Sequence, residues 1–325
     1  MIDNIGRKIE YLRLSITDRC NLRCQYCMEE NENNFIPDNS LITLENIKII
    51  VIAASKLGVK KIRLTGGEPL LRADVVEIVR FIRSIPTIEE ISITTNGILL
   101  EEKIDDLIKA GLDRINVSLD TVNPEIYSKI TRWGNLEKVL NGITKALHLG
   151  IKKVKLNVVP LKGINDSEIL NLIKLAVDAP IDVRFIELMP IGEGKKFCSI
   201  SNTEILALIQ KNYILENNIS DNENGPATYY SFKCMQGKIG FISPLSHNFC
   251  ENCNRIRVTA TGFLKLCLHW NNGIELKPLL DNGISVDSLS KIMSQAISKK
   301  PEKHEMNESK SKDNIDNRKM NEIGG

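Results

Sequence analysis

Six short runs along the first 190 residues alternate apolar and polar positions, and a helix-length interval follows each one. The runs lie near 10–17, 60–65, 90–95, 113–119, 153–159 and 181–188. Helix-start signals mark the intervals: Thr43 before Leu44, Asn123-Pro124 before Glu125, and Asn165 to Ser167 before Glu168. Six successive strand–helix units predict parallel strands joined by right-handed crossovers. In five runs one parity is apolar: Leu12, Leu14, Ile16; Ile62, Leu64; Ile91, Ile93; Ile115, Val117, Leu119; Val154, Leu156, Val158. That parity suits a face covered by helices. The other parity reads Arg13, Ser15, Thr17; Arg63, Thr65; Ser92, Thr94, Asn96; Arg114, Asn116, Ser118; Lys155, Asn157. A doubly wound sheet needs both faces apolar, and a closed eight-stranded barrel fills its lumen with branched apolar side chains. The pattern therefore predicts an α/β fold, a partial (β/α)6 barrel whose polar inner face holds a polar ligand, over strands half exposed to solvent. The sixth run does not keep the alternation cleanly, and nothing is drawn from it.

After Met189-Pro190 the pattern changes. A Gly/Lys segment leads to a helix near 202–211 and an Asn-rich loop at 217–225. Short strands are predicted near 228–233, 238–242, 255–259 and 262–267, then a helix near 285–298. Residues 299–325 are highly charged and poor in apolar side chains, so they are expected to be disordered unless something holds them. The expected organisation is a barrel over 1–190, a smaller α+β region over 191–298 covering its open side, and a tail over 299–325.

Composition narrows the function classes. With 43 Lys+Arg against 41 Asp+Glu, the 325-residue chain carries a formal charge of only +2, so no nucleic-acid surface is expected from charge. No apolar run approaches the roughly 18 residues of a membrane span, and the amino end lacks the apolar core of a signal peptide. A cytoplasmic protein without a membrane partner is expected. In that reducing setting, eight cysteines point to metal ligation or catalysis before disulfides.

Cys20, Cys24 and Cys27 follow the first strand, three close thiols with no fourth partner nearby. A structural zinc site wants a fourth Cys or His, and the nearest histidine in sequence is His148. Three thiolates on a 4Fe-4S cluster instead leave one iron open to an exogenous ligand. Gly66-Gly67-Glu68-Pro69 follows the second strand, where glycines let the backbone approach a ligand closely. A second group, Cys250, Cys253 and Cys267, lies near His247 and His269, so zinc and iron-sulfur both remain open there.

The spacing CxxxCxxC with Tyr26 before its last cysteine, together with GGEP, resembles the radical S-adenosylmethionine (SAM) superfamily. Further segments are Thr94-Thr-Asn-Gly97, Ile115-Asn-Val-Ser-Leu-Asp120, Gly163-Ile-Asn165, Cys250-Glu-Asn-Cys253-Asn-Arg255-Ile-Arg257 and the final Gly324-Gly325. With these, nearly the whole chain resembles the MoaA family of GTP 3′,8-cyclases, in molybdenum-cofactor biosynthesis. The resemblance implies a SAM-binding 4Fe-4S cluster on Cys20, Cys24 and Cys27, and a second cluster on Cys250, Cys253 and Cys267 whose open iron binds guanine. It implies SAM contacts at Tyr26, Gly67, Ser118 and Met189. It also implies GTP contacts at Arg13, Arg63, Thr94, Lys155, Arg255, Ile256 and Arg257, and a Gly324-Gly325 tail that enters the active site. The implied reaction splits SAM and turns GTP into 3′,8-cyclo-7,8-dihydro-GTP, with an external electron donor and a downstream cyclic pyranopterin synthase, in a monomer or homodimer. The alternatives are another two-cluster radical SAM enzyme, such as a peptide maturase, and a non-enzymatic iron-sulfur redox protein. Salt bridges to Glu68, Asp120 or Glu187 are the rival use for the inner-face cations, and Cys198 and Cys234 fit no ligand spacing.

Overall fold

The structure is a computed structural model that describes residues 1–219, 225–306, 315–316 and 318–324. The alternating runs form β1 (Tyr11–Ser15), β2 (Lys61–Thr65), β3 (Glu90–Thr95), β4 (Arg114–Ser118), β5 (Lys153–Val158) and β6 (Ile181–Ile186). Between them lie α1 (Leu44–Lys56), α2 (Val75–Arg83), α3 (Leu100–Lys109), α4 (Pro124–Thr131), α5 (Leu136–His148) and α6 (Ile169–Asp178). Thr43 opens α1 with a reciprocal cap: its hydroxyl accepts from the Asn46 N–H at 3.1 Å, and the Asn46 side chain accepts from the Thr43 N–H at 2.9 Å. Asn123 caps α4 ahead of Pro124. The third start signal is displaced. Asn165 spends its side chain on Leu161, Val159 and Asp120 backbone groups, so a 3₁₀ turn over 166–168 precedes the helix.

The rest of the chain adds α7 (Asn202–Gln210), β7 (Leu215–Ile219), β8 (Ala227–Phe232), β9 (Ile239–Ile242), β10 (Arg255–Val258), β11 (Phe263–Lys265) and β12 (Gly273–Glu275). Then come α8 (Lys277–Asp281), α9 (Val286–Ile297) and α10 (Met320–Ile323). Among the described residues the strands make one sheet in the order β12-β11-β10-β1-β2-β3-β4-β5-β6-β9-β8-β7. The six central strands are parallel, and β10 beside β1 and β9 beside β6 continue that direction. The outer pairs are antiparallel. All thirteen apolar-parity residues named above are buried in one core beneath the helices.

β6 is more regular than the sequence suggested. Ile181, Val183 and Phe185 enter the core, and Asp182 and Arg184 lie buried on the alternate positions. The Asn-rich segment also differs, since β7 occupies its first residues and pairs with β8. In the tail, the described residues are engaged. Lys265 donates to Asp316, Lys319 pairs with Glu32, and Asn321 donates to the Asp18 carbonyl at 3.2 Å.

Candidate active site

The loop after β1 carries the first three cysteines, and Arg23 organises it from inside. This buried guanidinium donates to the carbonyls of Cys20 at 2.8 Å, Leu22 at 2.9 Å and Glu32 at 2.7 Å. The GGEP turn packs directly against the same loop. A Cβ on Gly67 would sit 2.3 Å from the Arg19 carbonyl oxygen, so only glycine permits this approach. Glu68 accepts from the Leu70 N–H at 3.0 Å, the Thr95 hydroxyl at 2.7 Å and the Asn96 N–H at 2.7 Å. Asn96 in turn donates to Asn21 at 2.8 Å and lies 3.8 Å from the Cys20 sulfur.

Burial pushes all three thiols up, Cys20 to about 11 and Cys27 to about 12, and the neighbouring cysteines raise Cys24 and Cys27 further. Three close, half-buried thiols that oppose one another's ionisation need a cationic centre before they can serve as thiolates. Among the described residues, no three His, Cys, Asp or Glu side chains converge on a single-ion position. A cluster whose sulfur ligands bind separate irons does not require such convergence. The donor set fits a 4Fe-4S cluster. Tyr26, between the second and third cysteine, donates to Asp120 Oδ2 at 2.7 Å, and burial pushes the Asp120 carboxyl up to about 6.

Sheet register arranges the cations. Arg257, Arg13 and Arg63 are direct partners across β10, β1 and β2, and the row continues through Ser92 to Arg114. Adjacent strands lie about 4.8 Å apart. Like charges carried on adjacent strands repel one another where burial lowers the dielectric. Burial, then the flanking Arg257 and Arg63, pull Arg13 well below its ordinary value, and burial brings Arg63 and Arg257 to about 10. Glu90 pairs with Arg114 at 2.6 Å at the far end of the row, while the three carboxylates weighed as rival partners are held by other donors. Glu68 and Asp120 have the donors given above, with Val159 N–H also on Asp120 at 2.8 Å, and Glu187 accepts from the Leu245 and Ser246 N–H groups at 2.7 and 3.0 Å. Further round the sheet, Lys155 donates to the Tyr229 hydroxyl at 2.6 Å and lies 3.5 Å from Asp182.

Cys250, Cys253 and Cys267 line the same cavity, of about 370 Å³, as the first three cysteines. Burial pushes the Cys253 thiol up, but Arg255 and Lys300 outweigh it and bring the group to about 6, favouring thiolate. Of the two histidines considered as zinc ligands, His247 is exposed and His269 packs on Trp270, and neither lines the cavity.

The structure brings most of the expected residues together. Tyr26, Gly67, Ser118, Met189, Arg13, Arg63, Thr94, Lys155, Arg255 and Arg257 all face this cavity with the six cysteines. Ile256 does not. Strand alternation turns its side chain away from Arg255 and Arg257 into the apolar core, so only its backbone is left to meet a ligand. The Gly324 carbonyl accepts from Arg257 at 2.9 Å and Arg13 at 3.3 Å, while Gly325 lies outside the described residues. Cys198 and Cys234 are exposed and away from the site. Sequence reasoning missed Tyr11, Arg114, Arg184, Tyr229, Phe249, Lys300 and His304, which also line the cavity. Arg114 stood on the polar parity and could have been found. Lys300 and His304 carried no local signal.

Residues 14–176 match the radical SAM superfamily, and residues 181–306 match Molybdenum Cofactor Synthesis C. A GTP 3′,8-cyclase of Clostridium perfringens (strain 13 / Type A) is 52% identical over the full length of both chains. The chain belongs to the radical SAM superfamily and, within it, to the GTP 3′,8-cyclase family. The GTP 3′,8-cyclase of Syntrophomonas wolfei is 45% identical over both full lengths, and that of Listeria monocytogenes EGD-e 42% over 99% of this chain and 98% of its own. Among solved structures, Streptococcus suis SuiB bound to S-adenosylmethionine aligns with a TM-score of 0.60 at 16% identity. That match covers 82% of this chain and 61% of SuiB, and it shows the shared fold alone.

Proposed function

We propose that the cavity takes GTP with its triphosphate on the arginine row and its guanine toward Cys250, Cys253 and Cys267, and that a new bond joins ribose C3′ to guanine C8. The observation that carries this reading is the in-register row Arg257, Arg13 and Arg63 on the wall between two three-cysteine groups. A polyanion relieves the repulsion among these guanidinium groups and matches their planar donors. Bound at the six cysteines, iron-sulfur clusters and SAM would supply the one-electron chemistry that side chains cannot. Arg23, Glu68 and Asn96 hold the first cysteine loop, and Tyr26 is fixed by Asp120 where the resemblance puts the adenine of SAM. Thr94, Lys155 and Arg255 extend the polar wall that orients the nucleotide.

An electron donor outside this chain and a cyclic pyranopterin synthase acting on the product complete the scheme, in a cytoplasmic monomer or homodimer. The test is anaerobic reconstitution followed by incubation with GTP, SAM and dithionite. Equal yields of 5′-deoxyadenosine and 3′,8-cyclo-7,8-dihydro-GTP support the assignment. Deoxyadenosine formation with GTP left intact would overturn it and favour another substrate, such as a peptide.

A further inference from the structure

Arg7 is distant in sequence from both cysteine groups and does not line the cavity, yet it is only 6% exposed. Its Nε donates to Asp3 at 2.6 Å. Nη1 donates to the carbonyls of Cys250 at 2.9 Å and Glu302 at 3.0 Å, and Nη2 to those of Lys300 at 3.3 Å and Pro301 at 2.8 Å. A guanidinium has five N–H donors in a fixed fork, and here each one meets an acceptor. Asp3 is anchored in turn, because its other oxygen accepts from the N–H groups of Ile5 and Arg7. Lys300, also 6% exposed, donates through Nζ to the carbonyls of Arg255 and Leu266.

These contacts converge on one place. The Cys250 carbonyl is held directly, Arg255 lies two residues after Cys253, and Leu266 directly precedes Cys267. Each cysteine of the second group is thus within two residues of a carbonyl fixed by Arg7 or Lys300. The three thiols come from two separate segments, and their spacing must be set before iron can bind without an ordering cost. We infer that Arg7 and Lys300 form an internal clamp that sets the spacing of Cys250, Cys253 and Cys267, making them positioning residues for the second cluster. The inference rests on reading those cysteines as 4Fe-4S ligands. Lysine at position 7 offers three donors on a flexible stem and cannot reproduce the fork.

The experiment reconstitutes the full chain anaerobically as wild type, Arg7→Met, Arg7→Lys, Lys300→Met and a variant with Cys250, Cys253 and Cys267 all changed to Ala. Iron and sulfide per chain, EPR of the reduced protein and the EPR response to added SAM are measured. Two 4Fe-4S clusters give about eight irons in the wild type, and the triple cysteine variant keeps about four. Arg7→Met and Lys300→Met are expected to fall toward four, losing the second cluster's signal while the first still responds to SAM. Arg7→Lys is expected to lie between, with an altered second signal. Eight irons and an unaltered second signal in both methionine variants overturn the clamp. Loss of the SAM response together with the second signal in both would also overturn it, because the residues would then support the fold at large. A triple cysteine variant with unreduced iron refutes the cluster reading itself, and the clamp with it.

Discussion

Gly324→Ala tests whether the end of the tail works inside the cavity. Gly324 is buried at φ +71°, a backbone conformation that costs an L-residue about 1–2 kcal/mol. The added methyl would meet Thr65 Oγ1 at 2.5 Å and Ser15 Cβ at 2.9 Å, and neither strand can move without disturbing the sheet. Relief requires the turn to withdraw, which removes the carbonyl from Arg13 and Arg257. A hydrogen bond to a charged group contributes about 1.5–3 kcal/mol. Strain plus one such bond comes to about 2.5–5 kcal/mol, a shift of roughly sixtyfold or more in the docked population. GTP conversion should fall by about that factor if the docked tail is required. Iron content and melting temperature should change little, because among the tail's described residues Ile323 is the deeply buried apolar one and lies outside the main core. Product formation is followed by chromatography beside metal analysis and thermal melts. Wild-type conversion by Gly324→Ala would refute the reasoning and leave the docked turn without a catalytic role.

Three further predictions concern the site. Cys24→Ala is expected to abolish SAM cleavage, because three thiolates hold the first cluster; normal 5′-deoxyadenosine output from the reconstituted variant would contradict this. Arg257→Ala is expected to weaken GTP binding by about 1.5–3 kcal/mol, the range for a charge-assisted bond, and to leave SAM affinity nearly unchanged in calorimetric titration. Burial pushes the Glu68 carboxyl up to about 7 from an ordinary 4.5. In the metal-free protein the folded state then binds more protons than the unfolded state between those values, so stability falls as pH rises through that window. Glu68→Gln should remove that slope, and parallel stability curves for the two proteins from pH 5 to 8 would disprove it.

Strand parity made the barrel and its polar wall legible, because the backbone turns alternate residues to opposite faces whatever the tertiary context. Cysteine spacing made the first loop legible for a similar reason: all three ligands lie in eight residues. β6 was hard to read because the apolar run was carried to residue 188. The strand ends at Ile186, which faces the cavity, so the last positions blurred an alternation that Ile181 to Phe185 keep. Arg184 was lost with it, although its guanidinium joins Asn116 at 2.7 Å on the inner face. The tail's contacts were hidden for another reason. Its charge and scarcity of apolar residues signal disorder on a local scale. Among the partners of its described residues are Lys265, Glu32 and Asp18, and no sequence window contains both sides of those contacts.

The outer strands explain why one active site needs both parts of the chain. A six-stranded parallel sheet would leave β1 and β6 as bare edges, each a template for unwanted pairing. β10 covers β1 and β9 covers β6, both in parallel register, so the later residues complete the sheet on either side. The same pairing fixes the chemistry. Because Arg13 pairs with Arg257, β10 cannot slip by one residue without sending Arg255 and Arg257 into the core and Ile256 into the cavity. Burying two guanidinium groups among Leu12, Leu14 and Leu264 would cost several kcal/mol each, far more than a slipped register could recover. That penalty locks β10 in place. The position of Cys253, two residues before its first member, is therefore set by the burial of the strand as much as by the contacts of its own loop.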